Sequence, residues 1–312
     1  MAASKSASTR RSLIGEVRDF RFGFNLRTIR SRDSMIEVCR RAESLGYDVA
    51  LIPDHLGRNR PAPFPMLVAA ANATGRLRVG PFVLNSAFWN PFLVAREVAT
   101  TDQLTGGRLE LGLGAGHMKS EFDMANIPWR GFDERVRGLQ DTIDTLDRLF
   151  ADEAVGYETF QRPRPPLMIA GTGHATLQLA AARADIVGYG GILQAKGRPP
   201  GTFRIATAEE MDERVGYFVD YARGRANEIE ANLLIQVVSV TEDREAAAKG
   251  LIAERSIELS VEQFLSAPVV LIGTIEEIAA QVRERRDRYG ISYFCVHEPY
   301  LEDFAPVIKQ LR

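Results

Sequence analysis

The side chains best suited to chemistry follow short apolar segments of the sequence. Asp54 and His55 come directly after one such segment, and His117, His174 and His297 stand in comparable places. An adjacent carboxylate and imidazole at the end of a buried strand can act as a positioned general acid or base. Metal sites place two histidines on one strand or at i, i+4 on a helix, whereas each histidine here stands alone on its segment. We therefore expect acid–base chemistry and no bound metal.

A glycine-rich stretch over residues 106–117 leads into His117. Gly112, Gly114 and Gly116 alternate there, and their missing side chains let a neighbouring backbone or a flat ligand approach closely. A dinucleotide-binding G-x-G-x-x-G motif would need glycine at position 117 and would open a helix directly. Because His117 occupies that position, we interpret the stretch as the glycine-rich end of a strand.

A second glycine-rich segment, Gly171-Thr172-Gly173, lies just before a helical pattern that begins at His174. Free amides and the helix dipole at such a turn favour a bound phosphate. A tight strand-to-helix turn that needs glycine for its backbone angles would have the same sequence. Both interpretations stay open on these residues alone.

The hydrophobic pattern alternates between strand and helix along the whole chain. Strands are predicted around residues 22–26, 48–55, 78–85, 106–116, 165–171, 185–191, 233–240 and 293–297. The clearest helix carries apolar residues that step by four and three from Phe132 to Phe150. Residues 192–206 are rich in Gly and Pro and are predicted to form a mobile loop, and residues 242–272 are predicted to hold one helix and an irregular connection.

Eight strand–helix pairs predict the α/β class and a closed (β/α)8 barrel, a TIM barrel with loop insertions at its C-terminal face. Without the weakest strand, at residues 185–191, a doubly wound open sheet would be the alternative. Residues 1–19, rich in Ser and Ala, are predicted to be a disordered tail. Residues 20–312 are predicted to be a single barrel domain.

The composition excludes several classes of partner. A net charge of −2 over 312 residues provides no electrostatic attraction to nucleic acid or to an anionic membrane. No apolar run approaches the roughly 18 residues that a membrane span needs. Cys39 and Cys295 lie within apolar patterns, which predicts two buried thiols and a cytoplasmic location. A small-molecule substrate is therefore the expected partner.

In a barrel of this kind the chemistry sits at the carboxyl ends of the strands. The polar and glycine residues predicted to fall there are Asn25, Asp54, His55, Asn85, Gly114, Gly116, His117, Gly171, Thr172, Gly173, His174, His297 and Glu298. All four histidines of the chain are in this set. The sequence thus predicts that one face of the barrel carries the active site.

These segments together resemble the bacterial luciferase-like (β/α)8 superfamily, and within it the branch that uses the deazaflavin coenzyme F420. The resemblance runs from about residue 21 to residue 312. It is carried by residues 42–48 leading into 53–55, Asn90-Pro91 with 96–102, 106–116, Glu121 with the long helix, 165–173, and 270–278 with 290–294. No one segment is decisive, and their order and spacing carry the assignment.

The resemblance implies roles for particular residues. His55 would lie beside the deazaflavin ring and act in proton transfer or orientation, with His117 second and Asp54 as a further catalytic residue. The cofactor-binding set would be His55, Phe82 and Val83 joined by a non-proline cis peptide that backs the ring, Asn85 at its polar edge, the wall Gly114, Ala115, Gly116 and His117, and Gly171, Thr172 and Gly173 at the phosphate. Asn25, Asn59 and Glu298 would contact the substrate.

Two departures bear on the substrate. Similar-looking sugar-phosphate dehydrogenases carry a tryptophan four residues after the strand-two histidine and a carboxylate after the glycine wall. Asn59 and His117 occupy those positions here. The differences argue against a substrate of the glucose-6-phosphate type. The acid partner would then be Glu121 or Glu298, or be absent.

The resemblance therefore implies an oxidoreductase that passes a hydride between F420 and an unidentified small organic substrate. Two alternatives stay open. The first is an FMN-dependent luciferase-like monooxygenase, and the second is a catalytically inactive ligand-binding barrel. Dimers are common among proteins that look similar, so a homodimer is expected. Loops at residues 56–64 and 192–206 are expected to set the substrate.

Overall fold

The structure is a computed structural model that describes residues 18–154 and 156–312. The predicted tail at residues 1–19 lies outside these ranges except for its last two residues, so its disorder stays a prediction. No helix in the two described ranges is long and apolar enough to cross a membrane.

The strands occupy the positions that the apolar segments predicted, with several additions. They are β1 (Arg21–Asn25), β2 (Val49–Ile52), β3 (Arg78–Pro81), β4 (Leu84–Asn85), β5 (Leu111–Gly114), β6 (Leu167–Ala170), β7 (Ile186–Tyr189), β8 (Ile192–Gln194), β9 (Phe203–Ile205), β10 (Glu230–Ile235), β11 (Val237–Val240), β12 (Val270–Gly273) and β13 (Ile291–His297). The weak sixth segment is therefore a strand, β7.

The helices alternate with these strands. They are α1 (Arg32–Ser44), α2 (Pro63–Ala73), α3 (Pro91–Leu104), α4 (Lys119–Met124), α5 (Phe132–Ala151), α6 (His174–Arg183), α7 (Ala208–Ala222), α8 (Arg244–Arg255), α9 (Val261–Ser266), α10 (Ile275–Tyr289) and α11 (Leu301–Leu311). Capping side chains define where several helices begin. Ser31 caps α1 through the amide of Ser34, and Thr274 caps α10 through the amide of Glu277.

Parallel pairing closes the sheet into a barrel. Its nine strands run in the order β3-β2-β1-β13-β10-β7-β6-β5-β4. The two end strands, β3 and β4, are consecutive pieces of one interrupted strand, and β3 pairs with β2 while β4 pairs with β5. A bridge between Val79 and Leu109 joins the remaining gap. The predicted eight-stranded barrel is confirmed, with its third strand in two pieces.

Two connections differ from the prediction. Residues 192–206 are not simply a loop, because β8 and β9 pair as an antiparallel hairpin whose end is closed by Gln194 bonds to the backbone. The predicted seventh strand, 233–240, splits at Gln236. The amides of Gln236 and Val237 both donate to the Val269 carbonyl, so β11 leaves the barrel and pairs with β12. β12 begins inside the segment 242–272, where the sequence predicted one helix and an irregular connection.

The barrel interior is a small apolar cluster that determines which strand ends point into the mouth. Its members are Val49, Leu51, Met168, Ile186, Tyr293 and Cys295. Alternate residues of a strand share a face, so His297 continues the inward face of β13. A side chain at Gly23 would meet the Tyr293 ring at 3.1 Å, which makes Gly23 and Asn25 the inward face of β1. Asn25 and His297 therefore stand at the mouth.

A charge network closes the opposite end of the barrel. Glu110 is 3% exposed and accepts hydrogen bonds from Arg21 and, at 2.6 Å, from Arg78. Arg21 also donates to Glu230 at 2.5 Å, and its guanidinium lies 4.6 Å from the centroid of the Tyr293 ring. Buried charges need such partners to offset their desolvation. The amino end of the barrel is thereby sealed, and the carboxyl end is left for ligands.

The interruption of the third strand explains two of the alternating glycines. The Phe82-Val83 peptide that separates β3 from β4 is cis, as the resemblance implied. A Cβ at Gly112 would lie 2.2 Å from the Pro81 carbonyl oxygen, and one at Gly114 would lie 2.7 Å from Cγ2 of Val83. These positions are bare because the neighbouring strand fills the space, so of the two reasons considered, an approaching backbone or a flat ligand, the first applies.

Gly112→Ala should destabilise the fold, because the obstacle to the new methyl group is backbone. We expect the free energy of unfolding in urea to fall by about 3 kcal/mol. Gly138→Ala is the matched control, since Gly138 is exposed within α5 and a Cβ there meets nothing within 4 Å. That change should raise the unfolding free energy by about 0.5–1 kcal/mol. Equal stabilities for the two variants would contradict this explanation of the glycines.

Candidate active site

A histidine–carboxylate pair stands at the mouth of the barrel. Nδ1 of His55, just after β2, lies 2.8 Å from Oε1 of Glu121 on α4. An ionised carboxylate only accepts hydrogen bonds, so Nδ1 carries the hydrogen and Nε2 is left to take up or deliver a proton. Glu121 is 9% exposed, which shields this bond from water. The pair has the arrangement of a general base with its orienting carboxylate.

His117 lies next to this pair and is kept neutral by its surroundings. The His55 and His117 rings meet edge to face with centroids 5.5 Å apart, and Phe203 packs on His117 at 5.2 Å. Desolvation by the surrounding protein, together with the charges of His55 and Arg135, lowers the pKa of His117 to about 4. His117 is therefore neutral at pH 7, and the imidazole with a carboxylate partner is His55.

Asp54 is bonded to the third strand rather than to His55. Its Oδ2 accepts from Nε1 of Trp89 at 2.9 Å and from the amide of Asn85 at 3.1 Å. Burial raises the pKa of Asp54 despite these two donors. Within the described ranges no hydrogen bond joins Asp54 to His55. The sequence treated the adjacent pair as one acid–base unit, whereas the structure assigns the orienting contact to Glu121 and an anchoring contact to Asp54.

Asn85 and the glycine wall form one continuous surface. A Cβ at Gly116, whose φ is +74°, would lie 2.5 Å from Oδ1 of Asn85, so this glycine is required by the side chain opposite it. Asn85 is buried, and its Oδ1 accepts from the amide of Ala87. Arg135 on α5 donates to the Ala115 carbonyl at 3.2 Å and so holds the wall from behind.

The segment Gly171-Thr172-Gly173 leads into α6, whose first turn has no side-chain cap. Neither Gly171 nor Gly173 has a positive φ, so the interpretation as a turn that needs glycine for its backbone angles is wrong. A Cβ at Gly171 would meet Thr176 at 2.6 Å, and one at Gly173 would meet the Phe132 ring at 2.8 Å. Close packing explains the glycines, and the uncapped amides remain suited to an anion.

The other side of the mouth carries His297 and Asn25, which are register partners on β13 and β1. Nε2 of His297 lies 3.2 Å from Oε1 of Gln236. Burial, with the charges of Arg27 and Arg255, lowers the pKa of His297 to about 4. Like His117, this imidazole is neutral at pH 7, and so it can hydrogen-bond a ligand but does not contribute a charge.

The remaining three predicted residues have different surroundings. His174 bonds Tyr221 at 2.7 Å and packs on Tyr217, so it faces α7 rather than the other histidines. Asn59 is exposed in the loop after β2, with a left-handed φ of 62°. Glu298 begins a short 3₁₀ helix, Glu298–Tyr300, beyond the end of β13. His174 thus follows the carboxyl end of β6, as expected, but its ring contacts α7 and not the other histidines.

Several residues of the site were not in the predicted set. Gln236 follows β10 and lies in the middle of the predicted strand 233–240, so an inspection of predicted strand ends could not have found it. Trp89 and Arg135 are contacts of the wall that only the fold brings there, and Phe203 reaches His117 through the unexpected hairpin. Across the described ranges, no three His, Cys, Asp or Glu side chains lie close enough together to hold a metal ion.

The sequence profile of the luciferase-like monooxygenases matches residues 20–253. The chain belongs to this family. The family assignment made from the sequence is thus confirmed, and the barrel described above is the fold expected for it.

Proteins similar to this chain include enzymes whose names mention F420 and one whose name mentions FMN. An F420-dependent glucose-6-phosphate dehydrogenase from Kribbella flavida is 26% identical, over 89% of this chain and 94% of its own. An F420-dependent secondary alcohol dehydrogenase in complex with an F420–acetone adduct superposes with a TM-score of 0.72 at 18% identity, covering 95% of this chain and 100% of that one. A riboflavin lyase with modified FMN also superposes at 0.72, with 16% identity and coverages of 95% and 92%. At these identities the two structures establish the fold alone.

The titration of His297 provides a test of its environment. As pH falls from about 6.5 to about 4, His297 takes up a proton in the unfolded chain but not in the folded chain. The free energy of unfolding therefore decreases as pH falls through that range. The proton on Cε1 of His297, followed by NMR in wild type and assigned with His297→Gln, should titrate with a midpoint near 4. A midpoint near the ordinary value would show that neither burial nor the two arginines act on it.

Proposed function

We propose that this family member is a coenzyme-F420-dependent oxidoreductase that passes a hydride between the deazaflavin and a small organic substrate. The observation that carries the proposal is the bond of His55 to Glu121, which stands beside the interrupted third strand and the glycine wall. The F420-dependent relative from Kribbella flavida supports the choice of cofactor. The substrate is not implied by that relative, because Asn59 and His117 depart from the sugar-phosphate pattern.

The residues present fit a phosphate-bearing deazaflavin. No side chain caps the first turn of α6, so the amides of that turn stay open to a phosphate. Gly173, which precedes the turn, lets the backbone lie close against the Phe132 ring. An apolar, half-buried surface at Phe82 and Val83 borders the barrel interior and suits a flat ring. The proposed cofactor contacts are His55, Phe82, Val83, Asn85, Gly114, Ala115, Gly116, His117, Gly171, Thr172 and Gly173.

When bound, F420 supplies the C5 carbon that accepts or returns a hydride. The chain supplies the proton chemistry. When an alcohol is oxidised, the hydride leaves its carbon and the hydroxyl proton passes to Nε2 of His55, while in the reverse direction His55 returns that proton. Glu121 keeps Nδ1 protonated and stabilises the imidazolium that forms. Asp54 holds the third strand in place, and neutral His117 with Phe203 narrows the mouth and limits the access of water.

The proposal extends to the substrate side and to the assembly. Asn25 and Glu298 are proposed substrate contacts at the ends of β1 and β13, and Asn59 is proposed to contact the substrate from the loop after β2. Cys39 and Cys295 are buried free thiols, which suits the proposed cytoplasmic location. A homodimer is proposed from the family resemblance.

Cofactor choice is tested by titrating the purified chain with F420 and with FMN while following each chromophore's spectrum. We expect saturable binding of F420 and at least about tenfold weaker binding of FMN. Tighter binding of FMN would favour the monooxygenase alternative. Binding of neither would leave the inactive barrel and overturn the proposal.

The acid–base pair is tested by Glu121→Gln and His55→Gln, assayed with F420 against a panel of small alcohols, hydroxy acids and glucose 6-phosphate. Both changes should lower kcat by about 10²-fold or more, because they remove proton transfer. Glu121→Gln should leave the affinity for F420 nearly unchanged, since Glu121 is not a proposed cofactor contact, whereas His55→Gln also alters one. Glu37→Gln, an exposed carboxylate on α1, is the control and should behave as wild type. Unchanged kcat in Glu121→Gln would remove Glu121 from the mechanism.

A further inference from the structure

The β1–β13–β10 side of the mouth holds polar groups that the proposed proton transfer does not use. Asn25 and His297 are register partners, and Gln236 follows Ile235, which pairs with Val296. All three therefore end neighbouring strands at the same level. Because Asn25 and His297 continue the inward faces of β1 and β13, their side chains point into the mouth.

Two atoms of this group lack a partner within the described ranges. Oδ1 of Asn25 and Nδ1 of His297 are buried without a hydrogen bond, and Asn25 is only 4% exposed. His297 is neutral, and its Nε2 faces Oε1, the side-chain amide oxygen of Gln236. Nε2 therefore carries the hydrogen, and Nδ1 is an acceptor. We call these two atoms the strand-end acceptors. Buried acceptors left unpaired cost stability, and a ligand hydroxyl, which has one proton to donate, would satisfy one of them.

Three arginines lie around these acceptors. Arg27 follows Asn25 by two residues, and Nη1 of Arg60 donates to the Arg27 carbonyl at 3.2 Å. Nη2 of Arg255 lies 3.3 Å from the Tyr300 hydroxyl, which in turn reaches the Gln236 carbonyl at 3.5 Å. We call Arg27, Arg60 and Arg255 the arginine group.

None of the three members of the arginine group forms an ion pair with a carboxylate within 4 Å anywhere in the described part of the chain. Burial and the nearby charge of Arg60 lower the pKa of Arg27, and Arg27 and Arg255 both act on His297. Like charges held together in this way create a positive potential that attracts anions. Bidentate donation to a carboxylate or a phosphate is the usual use of such guanidinium groups.

We propose that this side of the mouth is a subsite for a small anion that also bears a hydroxyl group. The anionic end, a carboxylate or a phosphate, is bound by the arginine group, and the hydroxyl donates to Oδ1 of Asn25, one of the strand-end acceptors. The inference rests on the proposed function, since it places the non-reacting end of the substrate beside the acid–base pair. It adds a substrate class to that function and makes Arg27, Arg60 and Arg255 specificity-determining residues.

The test is calorimetric titration of the purified chain, first alone and then saturated with F420. The probes are inorganic phosphate, glycerol 3-phosphate and lactate, with glycerol as the neutral control. Comparing phosphate with lactate shows whether the subsite binds a phosphate group or a carboxylate group. We expect saturable binding in at least one arm, no binding of glycerol, and glycerol 3-phosphate bound more tightly than inorganic phosphate.

Variants locate the binding. Arg27→Gln and Arg255→Gln should each weaken the anionic probes by at least about tenfold, because each removes a charged donor. Arg137→Gln is the matched control, an exposed arginine on α5, and should bind as wild type. Asn25→Ala should remove the advantage of glycerol 3-phosphate over inorganic phosphate while leaving phosphate binding in place.

The outcomes separate the two proposals. Anion binding that depends on Arg27 and Arg255 in a chain that does not bind F420 would support the subsite and overturn the proposed cofactor. Binding of F420 with no binding of any anionic probe, or with binding equal in wild type and both arginine variants, would overturn the subsite alone. Equal affinity for glycerol and lactate would also overturn it, since the arginine group would then contribute nothing.

Discussion

The site depends on one steric constraint, the fit of the interrupted third strand against the bare end of β5. Pro81, Val83 and Asn85 fill the space where side chains at Gly112, Gly114 and Gly116 would otherwise stand. That fit lets the third strand pair on both sides although it is in two pieces. Asp54 then anchors the second piece through Asn85 and Trp89. The wall, the ring-backing surface and the barrel's closure are consequences of the same contact.

Burial and charged neighbours together divide the histidines of the mouth into two kinds. His55 has a carboxylate on Nδ1, whereas desolvation and nearby positive charges keep His117 and His297 neutral. One imidazole is thus equipped to form a stabilised cation, and the other two provide hydrogen-bonding surface. This division leaves a single acid–base group beside a mouth whose other side is positively charged.

The sequence predicted the parts of the fold that follow from local pattern. Alternating apolar segments located the barrel strands, and residues after those segments located Asp54, His55, His117 and His297 at one end. The family resemblance located the cis peptide at Phe82-Val83. Strand periodicity could not predict that β11 leaves the barrel, because the cause is a backbone contact with Val269, distant in sequence.

Contacts between distant segments account for the remaining differences. His55 and Glu121 are 66 residues apart, so the residues alone paired His55 with the adjacent Asp54, and the family comparison left Glu121 and Glu298 as alternative acid partners. The hairpin of β8 and β9 forms within a Gly- and Pro-rich segment whose composition indicates a loop. The glycines of β5 were correctly placed at a strand end, and the group that requires them is the third strand of the same chain.

A crystal structure of the chain with F420 bound tests the central claim most directly. The account predicts the coenzyme's phosphate at the first turn of α6 and its deazaflavin ring against Val83, between Gly114 and His55. The β1–β13–β10 side of the mouth should stay open for the substrate. A ring bound away from the Phe82-Val83 peptide and out of reach of His55 would contradict it.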